Sequence, residues 1–204
     1  MYVPDAFRES RTDVLHAMMR EFGFATIVSH GPDGLIATPA PVVVAPARGP
    51  FGTLRSHVAR ANPHAALLAA GVEAMVIFHG PHAYVSPTWY LSKVAVPTWN
   101  YVTVHAYGVA RILSDAAEVA RVLEETVNQY ESGMERPWAT AGLPADVAAG
   151  LRKQVVAFEI EITRLDGKWK LGQNRPAADR VAAAEALIRR GETAVGRMML
   201  DAGG

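Results

Sequence analysis

The amino-acid sequence predicts a mostly β domain of the α+β class, an antiparallel barrel with peripheral helices and a C-terminal helical segment. Roughly six or seven segments have the composition and alternation of strands, and many are joined by short turns. Strands and helices do not alternate in the regular order that a parallel sheet requires. The chain has 204 residues, of which 50% are hydrophobic, so it contains ample material for one core.

The first half of the chain contains the signals of a helix, a hairpin and a short capped helix. Apolar residues recur at helical spacing from Val14 to Phe22, and Gly23 ends the pattern. Pro32-Asp33-Gly34 is a turn signal between two strand-like runs, and Asn62-Pro63 is typical of a helix start. The predicted elements are a helix over 11–22, strands over 24–29, 35–44 and 51–58, and a helix over 63–68.

The second half contains four further strand-like runs and three helices. Gly80-Pro81 indicates a turn between two strands, and Asp115-x-x-Glu118 resembles a capping box at a helix start. Apolar residues alternate with Glu159 and Glu161, which predicts that these glutamates face water, and Asp166-Gly167 indicates the turn that follows. The predicted elements are strands over 73–79, 83–86, 99–113 and 155–165, and helices over 115–130, 144–154 and 176–190.

Composition and charge exclude several classes of function. Lys and Arg number 20, as do Asp and Glu, so the chain lacks the basic excess of proteins that bind nucleic acid non-specifically. There is no cysteine, which excludes disulfides, thiolate metal sites and cysteine nucleophiles. No signal peptide is visible, and no apolar run reaches the ~20 residues that span a bilayer. We therefore expect a cytoplasmic protein without a membrane segment.

Motifs of common nucleotide and catalytic sites are missing from the sequence. It contains no G-x-G-x-x-G, no P-loop and no G-x-S-x-G element. Among the 7 histidines, His79 and His82 flank the Gly80-Pro81 pair, and no acidic residue lies nearby in sequence to complete a ligand set. We therefore expect no metal site, and the sequence assigns no catalytic residue.

Two blocks near the middle of the chain, residues 80–90 and 96–108, concentrate aromatic side chains. They hold two of the 4 tryptophans and four of the 6 tyrosines, interleaved with Ser, Thr, Asn and His. This mixture of flat faces and polar donors suits a planar, hydrogen-bonding, phosphorylated ligand. Aromatic residues are also favoured in strands without any ligand, so composition alone leaves both interpretations open.

Cations near these blocks are candidates for contact with a phosphate. Arg55 and His57 alternate on one predicted strand and therefore face the same side, and Lys93 follows the first aromatic block. A third polar block, residues 168–175, contains two amides and an arginine that are costly to bury without partners. For each of these residues the alternative is a solvated strand face or a polar loop.

Several segments of the chain resemble the PaiB-type FMN-binding negative transcriptional regulators. They are, in order, Met1-Tyr2-Val3-Pro4 with Phe7, residues 52–63, the two aromatic blocks, and Lys168 to Arg175. The resemblance spans nearly the whole chain and implies a split β-barrel of the FMN-binding type, a homodimer, and FMN bound near the subunit interface. The family usually has Ser before Gln-Asn-Arg, where this chain has Gly172.

The resemblance implies that the candidate residues serve FMN, which has a flat isoalloxazine and a dianionic phosphate. We expect Arg55, Lys93 and Arg175 to supply charge to the phosphate, and Asn100 and Gln173 to contact the ring edge. An FMN-binding domain is expected over residues 1–175, with a helical extension over 176–204 packed on it. The expected cofactor-binding residues are Arg55, His57, Ser86, Trp89, Tyr90, Lys93, Thr98, Trp99, Asn100, Gln173, Asn174 and Arg175.

Several functions fit these expectations. The resemblance implies a regulator with DNA or a regulatory protein as partner, although the sequence shows no helix-turn-helix and no basic surface. Fold analogy favours a small FMN-dependent oxidoreductase similar to flavin reductases. A haem-binding or haem-degrading protein, with His82 or His105 as axial ligand, and a cofactor-binding dimer without chemistry are further alternatives.

Overall fold

The computed structural model describes residues 1–202 of the chain. Its strands are β1 (Arg8–Glu9), β2 (Phe24–Gly31), β3 (Gly34–Ala45), β4 (Thr53–Ala59), β5 (Glu73–Val85), β6 (Thr98–Ile112), β7 (Val155–Glu161) and β8 (Arg164–Lys170). Its α-helices are α1 (Thr12–Glu21), α2 (His64–Ala69), α3 (Ala116–Glu131), α4 (Ala145–Lys153), α5 (Ala177–Arg189) and α6 (Thr193–Asp201). Within these described residues no helix is both long enough and apolar enough to cross a membrane.

The strands form one sheet, and its pairing closes part of it into a ring. The strand order is β1-β8-β6-β5-β2-β3-β4-β7, and β6 also pairs with β7. This extra pairing joins the ends of the run from β6 through β5, β2, β3 and β4 to β7. Closure gives each of these six strands a neighbouring strand on both sides. The predicted antiparallel barrel with peripheral helices is confirmed, and the predicted hairpin pairs β2 with β3 from Phe24↔Pro41 to Gly31↔Gly34.

Residue contacts divide the chain into two compact units. Unit I comprises Met1–Leu15, His79–Val104 and the chain from Asp166 onward, and unit II comprises His16–Phe78 and His105–Leu165. The expected boundary between residues 175 and 176 falls inside unit I and stays a prediction, and residues 203–204 of that extension lie outside the described residues. The largest buried side chains of unit I include Leu171, Leu187 and Met199, and those of unit II include Ile27, Leu54, Phe78, Phe158 and Ile160.

Local capping signals in the sequence are confirmed. The Asp115 carboxylate Oδ1 accepts hydrogen bonds from the backbone N–H groups of Ala117 and Glu118, both at 3.0 Å, where α3 begins. The Asn62 side-chain oxygen accepts a hydrogen bond from the backbone N–H of His64 at 2.9 Å, where α2 begins. Both signals are read within a few residues of sequence, so they do not depend on distant parts of the fold.

Two turn predictions are wrong. Gly80-Pro81 lies inside β5, which continues through the pair without a break. Asp166-Gly167 lies inside β8, and the chain reverses instead at residues 162–163, between β7 and β8. In both places pairing with neighbouring strands outweighs the local preference of Gly, Pro and Asp for turns.

The prediction that Glu159 faces water is also wrong, because Glu159 is only 3% exposed. Its carboxylate accepts hydrogen bonds from Arg48 at 2.6 Å, Arg55 at 2.8 Å and Arg111 at 2.8 Å. Burial acts to raise the pKa of Glu159, but these arginines lower it to about 2. Arg55 also contacts both oxygens of Glu125, at 2.7 and 2.8 Å. We call this group the Glu159 cluster, and all of it lies in unit II.

Candidate cofactor site

An exposed aromatic surface lies in unit I, where β5 and β6 carry part of the two aromatic blocks of the sequence. Trp99 is 54% exposed and Tyr84 is 46% exposed. Their ring centroids are 6.0 Å apart at an edge-on angle of 72°, and the centroid of the His82 ring lies 6.3 Å from that of Trp99 at a tilt of 38°. Because Trp99 is more than half exposed, it retains indole surface on which a planar ligand can stack.

A cluster of cations adjoins this aromatic surface, and Lys170 is its best-placed member. The Lys170 ammonium donates hydrogen bonds to the Thr98 hydroxyl and, at 2.8 Å, to the backbone carbonyl of Trp99. Burial lowers the pKa of Lys170, and the positive charges of Lys168 and Arg175 lower it further. The charges of Lys168 and Arg175 repel that of Lys170 beside the aromatic surface, and a bound anion relieves this repulsion, while the Asp179 carboxylate already attracts Arg175.

Lys168 and Arg175 are positioned by tyrosine rings and backbone. The Lys168 ammonium donates to the backbone carbonyl of Tyr2 at 3.2 Å and lies 5.3 Å from the centroid of the Tyr101 ring. The Arg175 guanidinium lies 4.9 Å from the centroid of the Tyr90 ring. Both distances are within the range of cation–π attraction, which stabilises a cation without neutralising its charge.

The segment after β5 is ordered by a helix cap and by a buried carboxylate. The Ser86 hydroxyl accepts a hydrogen bond from the backbone N–H of Thr88 at 3.3 Å, at the start of a short 3-10 turn. Asp179 Oδ1 accepts hydrogen bonds from the backbone N–H groups of Leu91 at 2.8 Å and Ser92 at 3.0 Å. Hydrogen bonds from Ser92 and then Leu91 lower the pKa of Asp179. Asp179 therefore fixes the start of the loop that carries Lys93.

Most of the predicted residues lie together in unit I, but their contacts differ. Asn100 is 1% exposed and donates to the Met199 sulfur at 3.2 Å. The Gln173 amide donates to the Trp169 carbonyl at 2.6 Å and accepts from the Leu171 N–H at 2.8 Å. The amide groups expected at a ring edge are thus engaged with the protein itself. The members of the predicted set in unit I are Ser86, Trp89, Tyr90, Lys93, Thr98, Trp99, Asn100, Gln173, Asn174 and Arg175.

The exposed members of the set are Lys93, Trp99 and Asn174, and Trp89 is half-buried. Within residues 1–202 neither Lys93 nor Asn174 has a hydrogen-bonding or charged partner. The Arg190 guanidinium lies 5.7 Å from the centroid of the Trp89 ring, so a cation already lies over that indole. Lys93 and Asn174 therefore have the freest polar groups of the predicted set.

Arg55 and His57 belong to unit II, whereas the other predicted residues belong to unit I. Arg55 is a member of the Glu159 cluster, where two carboxylates already occupy its guanidinium. A phosphate would have to compete with Glu125 and Glu159 for it, so its contacts argue against the expected phosphate role. Burial lowers the pKa of His57, which disfavours the charged form that would attract a phosphate.

The histidines considered as axial ligands lie in different units, His82 in unit I and His105 in unit II. His82 is exposed, and its Nδ1 lies 3.3 Å from the backbone carbonyl of Gly80. The His105 ring lies 6.4 Å from the Tyr107 ring. In the part of the chain that the structure describes, no three His, Asp or Glu side chains are grouped to hold a metal ion.

Sequence reasoning missed Lys168, Lys170 and Asp179 as site residues. The two lysines alternate in β8, so their shared face is recognisable only when residues 166–170 are known to be a strand rather than a turn. Asp179 lies in the first turn of α5, where an acidic residue is ordinary and carries no special signal.

Gly172 separates Lys170 from Gln173 and has a backbone φ of +86°. A Cβ at this position meets its nearest atom, in Arg180, at 3.6 Å, so space is available but the conformation is unfavourable for other residues. We expect Gly172→Ser, which restores the residue usual in PaiB-type proteins, to lower the free energy of unfolding by about 1–2 kcal/mol. Urea unfolding measures the change, with Gly142→Ser as control because nothing lies within 4 Å of a Cβ there. Equal effects at both positions would contradict the prediction.

The amino-acid sequence of the chain is similar to those of known proteins. The chain is 32% identical over 187 residues to "Protease synthase and sporulation protein PAI 2" of Bacillus subtilis (strain 168), covering 92% of this chain and 89% of that protein. It is 33% identical over 159 residues to an uncharacterized protein of Emericella nidulans, covering 63% of each chain. The Bacillus protein confirms the resemblance read from the sequence.

Solved structures share the fold at low sequence identity. The FAD and heme binding protein from Mycobacterium smegmatis has a TM-score of 0.62 and 18% identity, covering 86% of this chain and 79% of that one. The flavocytochrome Anf3 from Azotobacter vinelandii has a TM-score of 0.61 and 15% identity, covering 81% of this chain and 70% of that one. The expected split-barrel fold is confirmed by these likenesses.

A family model described as "Putative FMN-binding domain" matches residues 1–164. That range contains both aromatic blocks and ends before Lys168, Lys170 and Arg175, whereas the match to the Bacillus protein covers 92% of the chain. These matches show that the chain belongs to the FMN-binding domain family that this model describes.

Proposed function

We propose that this protein binds FMN in unit I, as a homodimer of the PaiB type. The observation that carries the proposal is the position of Lys170, whose ammonium contacts Thr98 and the backbone of the exposed Trp99. A single site thus offers a flat indole face and a cluster of positive charge. FMN has an aromatic ring system and a dianionic phosphate and fits both features.

The residues divide between the two ends of the ligand. Trp99, with Tyr84 edge-on to it, is the candidate for the ring face. Lys170, Lys168 and Arg175 are the candidates for the phosphate, and Lys93 is an exposed cation in the same unit. We do not propose Arg55 as a phosphate ligand, because its guanidinium forms ion pairs with Glu125 and Glu159.

The proposal is tested by comparing two tryptophan variants in a flavin titration. We expect Trp99→Ala to weaken FMN binding about fivefold, because stacking on an aromatic ring contributes ~0.5–1.5 kcal/mol. Trp138→Ala is a matched control, since Trp138 is 47% exposed but lies in unit II. Quenching of flavin fluorescence measures both affinities. Equal loss in the two variants, or no loss in either, would contradict the assignment of the ring to Trp99.

Homodimer formation is the second part of the proposal. Besides Trp99 and Tyr84, unit I exposes the aliphatic residues Leu91, Val94 and Val96, which are 71%, 91% and 65% exposed. An apolar surface of this kind is typical of a subunit interface. Sedimentation velocity at micromolar concentration is expected to give about twice the 21.9 kDa chain mass. A monomer that binds FMN would contradict the proposal of a homodimer but not the proposal of a flavin site in unit I.

The resemblance to PaiB-type regulators implies that the protein also regulates transcription. The net charge of zero gives no reason to expect strong binding to random duplex, and we expect a Kd of ~10⁻⁴ M or weaker at physiological salt. An anisotropy titration with random duplex and with the upstream region of its own gene measures this directly. Tight, sequence-selective binding would support direct action on DNA, whereas its absence favours action through a protein partner.

An absorbance spectrum with added NADH or NADPH tests the oxidoreductase and haem alternatives on the same sample.

A further inference from the structure

A second cleft, of about 460 Å³, lies entirely within unit II and outside the proposed flavin site. Its walls come from the end of β4, the junction of β6 with α3, the last turns of α4 and the start of β7. Clefts that bind small molecules have volumes of about 300–1,000 Å³, so this one is large enough for a ligand. Nothing in the proposed function uses it.

The lining is basic where α4 meets β7, with Arg60, Arg152 and Lys153, and we call this part the basic end of the cleft. The Arg60 guanidinium is fixed there, since it donates to the backbone carbonyls of Lys153 at 2.7 Å and Val155 at 2.9 Å. Neither Arg152 nor Lys153 forms an ion pair with any residue in the described range 1–202. These hydrogen bonds to neutral carbonyls leave the charge of Arg60 uncompensated, so the basic end of the cleft attracts an anion.

Acidic groups near the cleft are already engaged elsewhere. Among the described residues that line it, none is Asp or Glu. Asp115 lies between the lining residues Ser114 and Ala116 in sequence, but its carboxylate caps the first backbone N–H groups of α3. Glu118 contacts Arg111 at 3.1 Å. The positive charge of the basic end is therefore not cancelled from within the lining.

Apart from Ser114, the rest of the lining is aliphatic. Ile112, Leu113, Val119, Val155 and Val156 form most of it, and no aromatic side chain takes part. A flat ring such as an isoalloxazine has no stacking partner here, whereas an alkyl chain gains about 0.8 kcal/mol for each buried CH₂ group. The chemistry of the lining thus selects a flexible aliphatic ligand with one anionic end.

We propose that this cleft binds a medium-chain alkyl carboxylate, with its chain against the aliphatic residues and its carboxylate at Arg60 and Arg152. The carboxylate accepts charge-assisted hydrogen bonds from guanidinium groups. Both arginines are present in the full chain whether or not FMN is bound, so the proposal does not depend on the proposed flavin site.

Isothermal titration calorimetry of the full chain with octanoate tests the proposal. The comparison ligands are acetate, which lacks the chain, 1-octanol, which lacks the charge, and octylammonium, which reverses it. We expect octanoate to bind with one site per chain and the other three to bind far more weakly. The titration is repeated with saturating FMN, which is expected to leave octanoate binding unchanged.

Two variants on different helices locate the site. Arg152→Gln removes one charge-assisted contact and is expected to weaken octanoate binding about tenfold. Ala116→Phe fills the cleft from α3 and is expected to abolish binding. Arg20→Gln is the control, because Arg20 is exposed and does not line the cleft. Circular dichroism confirms that each variant is folded.

Four results would overturn the proposal. They are absence of octanoate binding, equal binding of octanol or octylammonium, binding that neither Arg152→Gln nor Ala116→Phe weakens, and displacement of octanoate by FMN. The last result would assign the cleft to the flavin instead, and it is distinguishable from the others because FMN then binds Ala116→Phe poorly.

Discussion

Glu159→Ala is expected to lower the free energy of unfolding by about 3–5 kcal/mol, since it leaves the buried partner Arg55 without one of its two carboxylates. The loss is large because Glu159 itself is 3% exposed and accepts hydrogen bonds from arginines of three different segments. Urea unfolding followed by circular dichroism measures the change. Glu161→Ala is the matched control, an exposed position on the same strand, and its expected effect is within about 0.5 kcal/mol. Similar losses at the two positions would show that the arginines do not depend on Glu159.

The pH dependence of stability follows from the same residue. The pKa of Glu159 falls from an ordinary 4.5 to about 2 in the folded protein. A carboxyl with a lowered pKa contributes stability that is present above the unfolded pKa and is lost as the pH falls through the folded one. We expect the unfolding free energy to drop as the pH is lowered from 4.5 towards about 2, and to drop less in Glu159→Gln. An equally steep acid loss in the variant would assign the effect to other carboxylates.

Lys170→Met is expected to weaken FMN binding by roughly tenfold or more and to leave riboflavin binding nearly unchanged. Riboflavin lacks the phosphate, and a hydrogen bond to a charged group contributes about 1.5–3 kcal/mol. Fluorescence titration of the two flavins measures the difference, with Arg197→Met as control because Arg197 is an exposed cation of the same unit. Equal losses for both flavins would indicate a general change in the site, and no loss for FMN would place the phosphate elsewhere.

The titration of the Lys170 ammonium should make FMN affinity depend on pH. Its pKa in the free protein is lowered, first by burial and then by the charges of Lys168 and Arg175. A bound phosphate favours the protonated amine and raises that pKa again. The added affinity is therefore complete below the pKa of the free protein and declines as the pH rises through it. Riboflavin affinity is expected to lack this decline, and an identical decline for both flavins would contradict the role of Lys170.

The fold was largely predictable because most of its signals are local. The Asp115 cap, the Pro32-Asp33-Gly34 turn and the apolar spacing of α1 each depend on neighbouring residues only. The burial of Glu159 was not predictable, because α3 packs against its strand and because its arginines come from distant segments. Alternation along a strand indicates which residues share a face, but not whether a helix covers that face.

The aromatic part of the candidate site was recognisable in the sequence, and its lysines were not. Trp99 stands out in sequence within a dense aromatic block, and the structure leaves it exposed. Arg55 was chosen for its charge and its place in a strand, yet Glu125 and Glu159, 70 and 104 residues away in sequence, occupy it. Lys170 was hidden because Asp166-Gly167 has the composition of a turn, so the strand that aligns Lys168 with Lys170 was not recognised.

The division into two interleaved units has a consequence for how the chain is cut and how it folds. Unit I is assembled from three separated stretches, and β5, β6 and β8 each contribute residues to both units. A fragment that stops at residue 164, where the match to the family model ends, removes the third stretch of unit I, including Lys170 and α5. Such a truncation is expected to yield an aggregating fragment rather than a smaller domain, since the removed stretch carries the buried Leu171, Leu187 and Met199 of unit I. Because each unit is held together by contacts between residues far apart in sequence, we also expect slow folding.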